Sequence, residues 1–222
     1  VTLQWLSSDD ASEALNLRSE ADDATVESET TVSAFGPSDW YRHRAEFTGL
    51  DPDQEYTLTT DQRLVLDDEN NQFVVRTAPE TLTDPLTFAE GGDVSTNPVV
   101  TDLHDQAADW DPLFGFVGGD LAYANGENES LWVTFLEYWS SYMRSGDRLI
   151  PIIAGIGNHE VVGGMGGTPA DAPFYYSLFD NTQRDRAYWA QDFGDYLSIL
   201  VLDTNHSTPL EGEQVEWLAR AC

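Results

Sequence analysis

Three short stretches gather metal-ligand residue types directly behind apolar runs: Gly91-Gly92-Asp93, Gly118-Gly119-Asp120-Leu121-Ala122-Tyr123 and Gly157-Asn158-His159-Glu160. A fourth, Asp203-Thr204-Asn205-His206, follows Tyr196–Leu202. Carboxylate and amide oxygens favour hard cations such as Mn, Mg or Fe(III), and imidazole favours Zn or Fe(II). An aspartate between two ions can bridge them. A pair of ions roughly 3.5–4 Å apart clamps a phosphate and lowers the pKa of a bound water, so hydroxide attacks phosphorus in line. Such chemistry needs no nucleophilic side chain, and neither a Gly-x-Ser-x-Gly nor a Cys/His constellation is evident. A phosphate-binding Gly-Lys-Ser/Thr loop is excluded, because the chain has no lysine.

The positioning elements follow from the pattern. Leu86–Glu90, Leu113–Val117, Leu149–Ile156 and Tyr196–Leu202 read as strands, each ending at one of the motifs. Asn97-Pro98 fits a helix start, with Val100, Leu103, Ala107 and Trp110 on one face. Trp132, Phe135, Leu136, Trp139 and Met143 mark a second amphipathic helix, and another begins at Glu211. Alternating strands and helices indicate an α/β layer, in which ligands gather beyond the carboxyl ends of the strands. Asp93, Asp120, Asn158-His159 and Asp203 are therefore expected to converge at one sheet edge.

Residues 1–79 read differently. Short alternating segments (Thr2–Leu6, Ala14–Arg18, Thr25–Val32, Arg42–Phe47, Tyr56–Thr59 and Gln72–Arg76) are separated by turn clusters, the pattern of a β-sandwich. Leu50-Asp51-Pro52-Asp53-Gln54-Glu55-Tyr56 resembles the corner of fibronectin type III domains, where a Tyr hydroxyl ties the strand start to the corner backbone. A Pro-bounded linker, Thr77–Pro85, leads into the second part.

Composition narrows the function classes. The 222 residues carry 40 Asp+Glu against 10 Lys+Arg, a formal net charge of -30. The acids are interspersed with patterned apolar residues, as in folded proteins of saline surroundings. Such a surface repels itself at low salt and is screened at molar salt, where the Debye length is roughly 3 Å. Nucleic-acid binding is disfavoured without a basic footprint. No run approaches the roughly 20 apolar residues of a membrane helix. The single cysteine, Cys222, excludes a disulfide scaffold. Val215, Leu218, Ala219 and Cys222 share a helical face expected to be buried, and the missing stop signal suggests a truncated sequence.

In order and context, residues 86–222 resemble the N-terminal half of a calcineurin-like metallophosphoesterase, nearest the purple acid phosphatase group. Members of that group commonly carry a fibronectin-like domain ahead of the catalytic one. The resemblance implies two domains: an all-β fibronectin type III-like sandwich (1–79), then a truncated α/β/β/α metallophosphoesterase sandwich (86–222). It implies that Asp93 is a ligand of the first metal, Asp120 the bridge, Tyr123 a phenolate ligand of iron(III) and Asn158 an amide ligand of the second metal. His159 would stand beside the substrate phosphate as the catalytic histidine. The implied cofactors are two metal ions, Fe(III) plus divalent Fe, Zn or Mn. The implied reaction is hydrolysis of phosphate monoesters by metal-bound hydroxide, on a small phosphorylated substrate. The implied location is secreted, cell-surface or periplasmic, any signal peptide being removed or not included. Ser95 departs from the glycine or histidine of the first motif, and the late His and Gly-His-x-His of the family would lie beyond Cys222.

Other readings stay open. A phosphodiesterase or nucleotidase of the same superfamily fits the same motifs. A non-catalytic surface interaction protein with a degenerate phosphatase domain is a further class, against which an intact Gly-Asn-His-Glu argues. A diffuse calcium-binding surface lacks any D-x-[DN]-x-[DN]-G loop. His206 is a candidate for lining the substrate pocket, or a loop histidine. Glu160 is a loop-bracing carboxylate or a partner of the ligands. His104 reads as structural and His43 as a surface strand residue.

Overall fold

The computed structural model describes residues 1–12, 14–59, 72–179 and 186–221, and within them the chain is a mixed α/β protein. Its first strands are β1 (Thr2–Ser7), β2 (Leu15–Ser19), β3 (Thr25–Ser28), β4 (Thr30–Ala34), β5 (Tyr41–Glu46), β6 (Glu55–Thr59) and β7 (Gln72–Arg76). The order β4-β5-β1 makes one antiparallel sheet, while β3-β2-β6-β7 belongs to another. Alternation drives the pairing. Leu15 and Leu17 of β2 point inward while Asn16 and Arg18 stay exposed. Together with Trp5, Ala45, Phe47, Tyr56, Leu58, Phe73 and Val75 they form a core between the two sheets. The expected strand Thr25–Val32 is broken at Glu29, where the chain leaves one sheet for the other. The Asp51 N–H donates to the Tyr56 hydroxyl at 2.8 Å, tying the strand start to its corner.

His43 is not a surface residue. It is 1% exposed, stacks on Trp5 at 5.1 Å and contacts the Asp9 carbonyl through Nε2 at 2.8 Å. Its position in β5 faces the protein interior, which period-two alternation alone did not reveal.

After the linker come β8 (Ala89–Gly91), α1 (Val99–Ala108), β9 (Gly115–Val117), α2 (Glu129–Tyr142), β10 (Arg144–Ser145), β11 (Arg148–Leu149) and β12 (Ile152–Ala154). Strands β8, β9 and β12 form a parallel sheet in the order β12-β9-β8, with α1 and α2 as its crossovers. Gly91, Val117 and Ala154 lie level in register, so the three motifs leave the sheet at the same end. The α2 start is capped by Asn128, whose side chain accepts from Ser130 N–H, and Trp132 and Phe135 are buried below it. The expected strand Leu149–Ile156 is interrupted at Pro151, which has no N–H to donate to a ladder. Its first part, β11, joins the other sheet beside β7. That sheet therefore spans both sides of the linker, in the order β10-β11-β7-β6-β2-β3.

The last elements are α3 (Pro173–Leu178), β13 (Trp189–Phe193), β14 (Leu197–Val201) and α4 (Glu213–Ala221). Strand β14 does not extend the parallel sheet. It pairs antiparallel with β13 as a separate two-stranded sheet. Two expected helix faces differ in part. In α1 Val100 is buried as expected, together with His104 and Ala108, while Leu103 and, just past the helix, Trp110 are 58% and 77% exposed. In α4 Val215 is exposed and Gln214 is the buried residue. Cys222 lies outside the described residues.

The second core gathers Val117, Leu121, Trp132, Phe135, Ile156, Phe174 and Tyr175, and it takes in Phe35 from the β4–β5 turn. Phe35 packs on Phe174 at 5.0 Å, and the Arg42 guanidinium donates to the Ser177 carbonyl at 2.6 Å. Among the described residues, no helix is long and apolar enough to cross a membrane.

Candidate metal centre

The three motif loops continue the parallel pairing after the strands end. Asp93 N–H donates to Gly119 O, Val94 N–H to Asp120 O and Ser95 N–H to Leu121 O, at 3.2, 3.0 and 2.8 Å. The first loop is thus laid along the second. The third is pressed against the second from the other side. Gly119 has φ +131°, and a side chain there would put its Cβ 2.8 Å from the Gly157 Cα. Glycine at 119 satisfies both the backbone angle and the close approach.

Glu160 braces this arrangement. Its carboxylate accepts from the N–H groups of Asp120, Leu121 and Gly157, each at 2.8 Å. Burial pushes its pKa up to about 7, against the downward pull of those three hydrogen bonds. Asp120 in turn accepts from His159 N–H through Oδ1 at 2.9 Å.

These contacts line a cleft of about 310 Å³ walled by Asp93, Gly119, Asp120, Asn158, Thr204 and His206. Tyr123 and His159 stand next to its lining residues. The Tyr123 hydroxyl donates to Asp93 Oδ1 at 2.6 Å, and its ring stacks on His159 with centroids 4.0 Å apart. The Asp93 hydrogen bond is the main reason the phenol is pushed up to about 12. Of the six residues named from the sequence, Asp93, Asp120, Asn158 and His206 line the cleft, while Tyr123 adjoins it through Asp93 and His159 through Tyr123. His206 reaches it although β14 is not part of the parallel sheet. The glycine-rich loop after Glu160 makes the connection: Gly166 and Gly167 N–H donate to the carbonyls of Asn205 and His206 at 2.8 and 2.9 Å.

Backbone strain concentrates at the same place. Of nine described non-glycine residues at positive φ, six lie in these loops: Asp93, Ser95, Asp120, Tyr123, Asn125 and Asn205. A bulky residue such as Tyr123 at φ +57° is rare, and such outliers cluster where surrounding structure imposes them for function.

Two roles were not read from the sequence. Asn125 accepts from His159 Nδ1 at 2.6 Å through its side-chain oxygen, and its own N–H donates to the His159 carbonyl at 2.8 Å. An amide oxygen only accepts, so Nδ1 carries the hydrogen of this contact and Nε2 is left free of it. Asn125-Gly126 has the composition of a turn, and nothing in it signals a histidine partner. Asp203 was expected among the converging ligands. It is fully buried, and its carboxylate is spent on His206 N–H, Ser207 N–H and the Ser207 hydroxyl. It shapes the fourth loop rather than opening into the cleft.

The donor set suits hard cations in kind: two carboxylates, a phenol and an amide oxygen. Among the described residues, no three His, Cys, Asp or Glu side chains stand close enough to hold a metal by themselves. The phenol of Tyr123 and the amide of Asn158 would have to supply ligands beside Asp93 and Asp120. No protein-family model matches the chain, and no curated protein matches it.

Proposed function

We propose that this chain carries the dinuclear metal centre of a calcineurin-like metallophosphoesterase of the purple acid phosphatase type, and that it hydrolyses phosphate monoesters. The observation that carries the reading is the meeting of Asp93, Asp120 and Asn158 in one cleft, with Tyr123 on Asp93 and His159 stacked against Tyr123. Asp120 sits between the first and third loops, the position a bridging carboxylate needs. When bound, Fe(III) with divalent Fe, Zn or Mn would supply a water of lowered pKa and neutralise charge on the phosphoryl group.

The chain's own residues supply the rest. Asp93, Asp120, Tyr123 and Asn158 would hold the two ions. In its imidazolium form His159, held by Asn125 at Nδ1, would donate a hydrogen bond or a proton through Nε2 to a phosphate oxygen or the leaving group. His206 and Thr204 form the opposite wall of the cleft and would contact the substrate. Glu160 keeps the second and third loops in register and touches no substrate.

The finer description of the fold belongs to the same proposal. The two packed sheets of β1–β7 and the Tyr56 corner bond support a fibronectin type III-like sandwich, and the β8-β9-β12 sheet with its crossovers supports part of a phosphoesterase layer. A secreted or surface location in saline surroundings fits the dense carboxylate surface.

The test is hydrolysis of an aryl phosphate monoester and of the matching diester in molar salt, with iron and zinc or manganese added. Metal-dependent turnover of the monoester, lost in His159→Ala, supports the reading. Preferential turnover of the diester moves it to the phosphodiesterase class. No turnover by a chain that binds the metals points to a non-catalytic role.

A further inference from the structure

A second concavity, of about 390 Å³, lies away from the metal-centre loops. Its wall combines Arg186 with the aromatic residues Phe179, Tyr188, Trp189 and Trp217, and β1 and β5 close it through Thr2, Arg44 and Glu46. Its volume lies within the range of small-molecule sites.

Arg186 is the unusual member. Its guanidinium sits 4.7 Å from the Tyr188 ring centroid and 5.9 Å from that of Trp217. The two rings are themselves 5.2 Å apart and tilted by 52°, so the guanidinium sits beside both of them. Arg18, Arg44, Arg76, Arg144 and Arg148 each have a carboxylate within ion-pair distance. Among the described residues, none offers a carboxylate to Arg186. Its Nε is buried without a hydrogen-bond partner. The one acid on the wall, Glu46, is committed to Arg44 at 2.8 Å.

In a chain with 40 acidic residues and 10 basic ones, a cation in an aromatic recess with no carboxylate paired to it among the described residues runs against the statistics of the surface. Burying its donors is costly unless an acceptor is supplied. Aromatic faces cannot provide the bidentate acceptor that a guanidinium matches, whereas an oxyanion can. Trp189 and Trp217 add apolar surface to the same wall.

We infer that this recess is a binding site for a small oxyanion carried on a flat ring, the anion on Arg186 and the ring against Trp189 and Trp217. It is independent of the phosphoesterase reading, because none of its wall residues belongs to the metal-centre loops. A half-buried guanidinium is screened less than a fully exposed charge, so binding is expected to persist in molar salt.

Phenyl sulfate is the probe, since it carries both features and has no phosphate ester for the other cleft to hydrolyse. Isothermal titration in molar sodium chloride is expected to give one saturable site in the wild type and the same site in Asp120→Asn. Arg186→Gln is expected to weaken binding by about tenfold or more, the loss of a charged hydrogen bond. Inorganic sulfate and phenol are each expected to bind more weakly than phenyl sulfate. Circular dichroism checks that Arg186→Gln is folded, and Trp217→Leu carries the same test should it not be. Equal affinity in a folded Arg186→Gln and in Trp217→Leu overturns the inference. So does the absence of saturable binding to the wild type, or loss of the site in Asp120→Asn.

Discussion

At the scale of single residues, Glu160 and His104 show how a buried polar side chain acts through neighbours. Glu160 holds three backbone N–H groups that have no other acceptor in the loops. Replacing it with leucine keeps the volume and leaves those donors unpaired. Glu160→Leu is therefore expected to lower the unfolding free energy by about 3 kcal/mol or more, measured by chemical denaturation. Metal affinity should fall with it, because Asp120 and Gly157 lose their common anchor. His104 is buried against the edge of Trp139, and burial is the main cause lowering its pKa from the ordinary 6.5. In the fold the ring resists a proton that the unfolded chain accepts near that value. The unfolded state thus binds more protons below it, and stability falls as pH falls through 6.5. Thermal midpoints recorded across this range should show that decline in the wild type and a smaller one in His104→Phe.

At the scale of elements, α1 gives the sharpest contrast between pattern and packing. Val100→Ala, in the buried stripe, is expected to cost about 2 kcal/mol from lost burial and the cavity left behind. Leu103→Gln, on the exposed side, should stay within about 0.5 kcal/mol. Equal effects in denaturant titrations would mean that the helix is rotated from the described orientation. The same helix explains what the sequence could and could not tell. Val100 is buried as hydropathy predicts, but Leu103 and Trp110 are apolar yet exposed and His104 is polar yet buried, so hydropathy alone misplaced part of the stripe. The helix packs on α2, where His104 meets the edge of Trp139, and the sequence does not say which neighbour a helix face will meet. The strand ends were legible because Gly91-Gly92-Asp93, Gly118-Gly119-Asp120 and Gly157-Asn158 each stop an apolar run with residues suited to tight loops. The break at Glu29 was not legible, since alternation continues through it and does not say which sheet a strand joins. Nor was the β13–β14 hairpin, because Tyr196–Leu202 reads as a lone strand unless Trp189–Phe193 is recognised as its antiparallel partner.

At the scale of the whole molecule, two features set how the protein behaves. The first is that both sides of the linker are held together. Strand β11 extends the sheet of β7, Phe35 packs into the second core, and Gln4 and Arg42 donate to the carbonyls of Leu178 and Ser177. The second is the net charge of -30. Few cations offset it, so self-repulsion opposes the compact state until salt screens it. The thermal midpoint is expected to climb steeply as sodium chloride rises to molar concentration and then to level off. A midpoint insensitive to salt would show that the carboxylates are far enough apart not to repel.

The charge also creates a background that any metal-binding experiment must separate from the cleft, because a dense acidic surface attracts cations everywhere. The most direct measurement is therefore a manganese titration by calorimetry in molar salt, comparing wild type with Asp120→Asn. That substitution removes one of the surface charges and the one carboxylate placed between the first and third loops. A tight class of about two ions in the wild type, absent from the variant while the weak background persists, is the result the account predicts. Superimposable isotherms would contradict it, and would leave the cleft without the metal centre on which the proposed chemistry depends.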